Sequence, residues 1–142
     1  MEGNKVVKAI LDTTVLIHLL KNKSDAISAV EKLRLEGVVL YTASINIYEY
    51  LKGAEMLEKE AKERESPALG SLIRNINVLN IDVPSSQKAA ELYAQLRKKS
   101  ITLDECDYLI AGAALSNGIF IIVTQNEKHF KHIKEFEKVI TY

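Results

Sequence analysis

Cysteine occurs once in the 142 residues, at Cys106, so no disulfide within the chain can hold the fold together. Two prolines and six glycines leave little material for linkers or low-complexity segments. Long hydrophobic runs are missing too: the longest, residues 119–123, is far too short to cross a bilayer. Nor is there an excess charge of one sign, since nineteen basic residues balance nineteen acidic ones. Any nucleic-acid surface must therefore be local. The start, Met1-Glu2-Gly3-Asn4-Lys5, lacks the apolar stretch of a secretory signal, and with a lone cysteine this predicts a cytoplasmic location. What is present is 47% hydrophobic and 27% charged, the balance of one soluble domain expected to cover residues 1–142.

Residues 6–11 form a short β-branched run that stops at Asp12-Thr13-Thr14, residue types favouring a turn or a helix N-cap. Helical spacing follows at Val15, Leu16, Leu19 and Leu20, then again through Ile27, Val30, Leu33 and Leu35 to Gly37. Residues 38–43 predict a second strand. Ser44 is the expected N-cap of a helix reaching Gly53, and the charged stretch 55–65 continues helically towards Pro67. Residues 77–82 predict a third strand, followed from Pro84 by a helix carrying Ala89, Leu92 and Leu96. Thr102-Leu103-Asp104-Glu105 matches a capping box before a helix ending near Asn117-Gly118. Residues 119–123 predict a buried strand and 138–142 an edge strand. Strands separated by helices of this length imply right-handed crossovers, hence an α/β fold with a mainly parallel sheet covered on both faces.

In such sheets ligands bind beyond the C-terminal strand ends, which directs attention to Asp12, to Ser44 and to Thr124-Gln125-Asn126. Asp12 also suits a helix cap, a role compatible with facing a cation through its second oxygen. Asp107 stands out because Leu103, Ile110, Ala111 and Ala114 share its helical face. An ionised carboxylate there is expensive unless paired or bound to metal, and it is expected beyond the first turn, where the helix dipole helps least. Asp104 is expected in the first turn, explicable by the dipole, with a supporting metal contact open to it. Glu49 reads as an ordinary surface partner of Lys52 when taken alone. Together the acids could converge on one or two hard cations. His129 and His132 lack a zinc motif and read as surface residues. Cys106 reads as a core residue rather than a nucleophile. Lys128, Lys131 and Lys134, with Arg97, Lys98 and Lys99, suit either a phosphate-attracting rim or a solvated face.

Four segments in order, 11–17 (LDTTVLI), 48–54 (YEYLKGA), 107–114 (DYLIAGAA) and 123–130 (VTQNEKHF), resemble a PIN-domain ribonuclease of the VapC toxin type. The resemblance implies a Rossmann-like α/β/α sandwich whose acidic pocket binds magnesium or manganese and hydrolyses RNA. By position it makes Asp12, Glu49 and Asp107 the catalytic and metal-binding acids. Thr124 and Asn126 match the polar segment after the fourth strand, with Asn126 a candidate neutral oxygen ligand. Asp104 could add a metal contact, and Thr13, Ser44 and Thr124 are candidate supporting polar groups. The chain departs from the pattern at Asn126, where many members carry an aspartate. A homodimer and a small inhibitory antitoxin are also implied.

Three other readings use the same parts. A housekeeping RNA-processing nuclease shares the fold, and a non-catalytic RNA-binding module would suit the neutral Asn126. A phospho-acceptor receiver would explain Asp12 and Thr124, but it requires an acid pair near the first strand and a lysine after its last, and neither occurs here.

Overall fold

The computed structural model describes residues 5–142; Met1–Asn4, part of the stretch read for a secretory signal, lie outside the described residues. Its strands are β1 (Lys8–Leu11), β2 (Val39–Ala43), β3 (Asn77–Leu79), β4 (Ile121–Val123) and β5 (Lys138–Ile140). Each pairs in parallel with its neighbours in the order β3-β2-β1-β4-β5, with Ile10 beside Tyr41 on one side and Ile122 on the other. The helices are α1 (Thr13–Leu20), α2 (Ser24–Leu35), α3 (Ser44–Glu55), α4 (Lys59–Asn75), α5 (Val83–Lys98), α6 (Glu105–Ser116) and α7 (Glu127–Phe130). The parallel sheet and its alternation with helices are as the sequence predicts, with each strand one to three residues shorter.

Alternation along β1 shows how the layers form. Ile10 joins the cluster made with Leu92, Leu96, Tyr108, Ile110 and Phe130 of α5, α6 and α7. Its neighbours Ala9 and Leu11 join Val15, Leu16, Val30 and Leu33 of α1 and α2 on the opposite face. All three β1 residues are fully buried, so a one-residue slip would exchange the two cores. α6 is buried from Ile110 to Leu115 and packs against α5 at Gly112, where an added Cβ would sit 2.3 Å from the Ser85 carbonyl oxygen.

Gly37 and Gly118, both at positive φ, follow α2 and α6 and end them as expected. Three other expectations are corrected. Gly53 lies inside α3, which runs on to Glu55. Pro67 lies inside α4 rather than at its end. Proline has no N–H for the Glu63 carbonyl four residues back, and Glu63 is exposed, so water can replace the missing partner. The capping box at Thr102 does not form. The Tyr108 hydroxyl accepts the Leu103 N–H at 3.0 Å and holds Leu103 outside the helix, so α6 begins at Glu105 with Asp104 as N-cap. Among the described residues no helix is long and apolar enough to cross a membrane.

Candidate active site

The strand order reverses between β1 and β4, and the crevice beyond their ends is where parallel α/β sheets place ligands. Asp12 and Thr124 flank it. Asp12 caps α1, its Oδ1 accepting the Thr13 N–H at 2.8 Å, while its Oδ2 accepts the Thr124 hydroxyl at 2.7 Å. Asp12 is 3% exposed and Thr124 fully buried. Burial pushes the Asp12 carboxyl above its ordinary range; the Thr124 and Thr13 hydrogen bonds oppose this, and the charge of Glu49 adds to it.

Asp107 arrives from α6 and is 6% exposed. Because that helix starts at Glu105, Asp107 lies in its first turn, not beyond it. Nδ1 of His129 pairs with its Oδ2 at 2.7 Å. Burial pushes the Asp107 carboxyl up to about 6, the His129 hydrogen bond opposing and the charge of Asp12 adding. His129 is therefore part of this pocket, contrary to the surface role read from the sequence; His132 is exposed as expected.

Glu49 comes from α3 and accepts the Thr13 hydroxyl at 2.6 Å. Thr13 in turn accepts from the side-chain amide of Asn46 at 3.0 Å, and the Asn46 oxygen accepts the Ala43 N–H at 2.9 Å. Asn46 is fully buried, although N-cap preference in the sequence points to Ser44 instead. Ala43 occupies the cap position instead, Ser44 is the first residue of α3, and Asn46 reaches back to satisfy the cap. Cys106 is half-buried beside Glu49 and not in the core proper. Burial, with Glu49's charge, pushes its thiol up to about 11, so it is no thiolate nucleophile at neutral pH.

One oxygen each from Asp104 and Asp107 and one nitrogen of His129 lie within 4.8 Å of one another, a spacing that a divalent cation can draw together. Two carboxylates and an imidazole are fitting donors for such an ion, and Asp12 and Glu49 add negative charge alongside. Asn126 is exposed at the start of α7; its backbone N–H donates to the Thr124 hydroxyl oxygen at 2.9 Å, and its side chain makes no capping bond. Lys98, Lys99, Lys128, Lys131 and Lys134 are exposed, and Arg97 stacks over Tyr93. A separate cleft of about 390 Å³ opens between α3 and α4, lined by Tyr50, Leu51, Ala54 and Leu69. None of the acids in the crevice lines it.

A three-layer, Rossmann-like α/β protein with buried acids beyond its switch point is the class that fold and site define together. The chain belongs to the PIN-domain family, whose model, described as PIN domain, matches residues 9–135. It is 30% identical over 128 residues to the tRNA(fMet)-specific endonuclease VapC of Salmonella typhimurium, covering 90% of this chain and 93% of that relative. Among solved structures, VapBC2 from Rickettsia felis bound to a promoter DNA fragment superposes with a TM-score of 0.84 at 21% identity, over 96% of this chain and 99% of that one. DNA-bound VapBC from Salmonella typhimurium superposes with a TM-score of 0.81 at 28% identity, over 96% and 98%.

Proposed function

We propose that the chain, as one domain over residues 1–142, is a metal-dependent endoribonuclease, the toxin of a toxin–antitoxin pair acting in the cytoplasm. One observation carries this reading: two carboxylates more than nine-tenths buried, Asp12 and Asp107, reach one crevice from separate elements, with Glu49 beside them. Carboxylates so placed repel each other and lose hydration, an arrangement that a cation relieves.

Asp12, Glu49 and Asp107 would hold magnesium or manganese, with Asp104 and His129 at the edge and Asn126 as a neutral oxygen nearby. The ion supplies Lewis acidity that makes water a better nucleophile and offsets charge on the phosphate. Thr13 and Thr124 fix the Asp12 and Glu49 carboxylates so that they need not reorganise when charge develops. Exposed lysines near the rim draw the RNA backbone towards an otherwise repulsive pocket. A small antitoxin protein is the expected inhibitor, occupying the crevice or the adjoining helices.

Induced expression in a bacterial host tests the toxin reading. Growth should stop with defined new RNA 5′ ends, and Asp12→Asn should grow normally. Processing of RNA ends without growth arrest would move the assignment to a housekeeping nuclease.

A further inference from the structure

The fully buried Asn46 belongs to none of the acids, yet its hydrogen bonds reach one of them through Thr13. The direction of every bond in this chain is determined. The Ala43 N–H can only donate, so the Asn46 atom facing it is the oxygen and the atom facing Thr13 is the amide nitrogen. That nitrogen can only donate, which makes the Thr13 hydroxyl an acceptor on that side. Its single proton is left for Glu49, and the 2.6 Å separation suits a hydroxyl donating to an ionised carboxylate.

We propose that Asn46 is a positioning residue for Glu49, acting through Thr13 to hold one carboxylate oxygen and leave the other for a cation; this rests on the nuclease reading above. The chain also spans the crevice. Thr13 opens α1 beside Asp12, whereas Asn46 and Glu49 belong to α3, so the relay fixes the separation of two acids contributed by different strand ends. The Thr42 hydroxyl, donating to the Leu11 carbonyl at 3.1 Å, ties the same two strand ends beneath it. Without the Asn46 amide the Thr13 hydroxyl is free to turn its proton to other acceptors, and Glu49 loses its fixed partner.

A double-mutant cycle on Asn46→Ala and Thr13→Val reads this coupling. Two quantities are measured: affinity for Mn²⁺ alone by calorimetry, and single-turnover RNA cleavage, with helix content followed by circular dichroism. Each single variant should lose about tenfold in Mn²⁺ affinity, the low end for groups that orient metal ligands. The double variant should be no weaker than Thr13→Val, and RNA affinity should not change. If Asn46→Ala does not fold, Asn46→Asp replaces it, because it keeps the Ala43 cap while offering the Thr13 proton a competing acceptor. Additive losses, or wild-type Mn²⁺ affinity in the Asn46 variant, would overturn the proposal. Coupled Mn²⁺ losses in a protein that cleaves no RNA would instead overturn the nuclease reading and keep this one. A wild-type protein that binds no Mn²⁺ would overturn both.

Discussion

Replacing Asp107 by asparagine preserves the side chain's shape and removes its charge, so it separates a strained metal-site acid from a stabilising core residue. Asp107 sits at about 6 against an ordinary 3.8, raised first by burial. A raised carboxyl pKa means that the folded state disfavours ionisation: the group's contribution is most favourable below about 3.8 and is lost as pH rises through about 6. A difference of about 2 units corresponds to about 3 kcal/mol of destabilisation in the ionised, metal-free protein. That cost is already net of the His129 hydrogen bond, which opposes the rise, and the variant resembles the protonated acid. The variant should therefore gain about 3 kcal/mol, or about 9 °C in Tm for a chain of this size. Thermal melts in chelator should therefore show the variant above wild type at about pH 7.5 and level with it at about pH 4. Mn²⁺ should raise the wild-type Tm and leave the variant nearly unmoved, since only native protein holds the ion. A variant that melts below wild type in chelator at neutral pH would refute the reasoning, because it would make Asp107 a structural hydrogen-bond partner.

His129→Ala should weaken Mn²⁺ binding more than Mg²⁺ binding, since an imidazole nitrogen suits the former; calorimetry showing equal losses would remove His129 from the cation site. Gly112→Ala should destabilise the fold by about 3 kcal/mol in denaturant melts, the new Cβ meeting backbone at 2.3 Å and the Ala89 Cβ at 2.9 Å, whereas a neutral effect would mean that α5 and α6 separate easily. Tyr48, Leu51 and Met56 on and after α3 are 53%, 42% and 86% exposed, so light scattering at micromolar concentration should return twice the 15.9 kDa chain mass. Tyr50, between them in sequence, is buried and hydrogen-bonded to Glu65, and does not contribute to that face. A monomer would leave the exposed face for a different protein.

The parallel order of layers was legible because each apolar run keeps one period to its end and strand ends carry polar residues. Asp12 and Thr124 follow from that rule, and Asp107 from the apolar company on its helix. Asn46 carries the same kind of signal, sharing a buried face with Tyr50 four residues on, but Ser44 is the residue type that N-cap preference favours there. The capping function came from the third helical residue reaching back. His129 had no such signal. It lies on a four-residue helix, too short for any periodicity, and meets Asp107 only through tertiary packing. The start of α6 shifted for a similar reason, since a tyrosine hydroxyl five residues on captured the amide of Leu103. Local pattern cannot register a partner supplied by the fold.

Cleavage of RNA by the purified chain is the most direct test of the central claim that the acidic crevice hydrolyses phosphodiesters with a divalent cation. Wild type should cut RNA with Mg²⁺ or Mn²⁺, stop in chelator and recover when the ion is returned, while Asp12→Asn, Glu49→Gln and Asp107→Asn each fold and do not cut. Cleavage that persists in chelator, or at the wild-type rate in any of the three variants, would contradict the account.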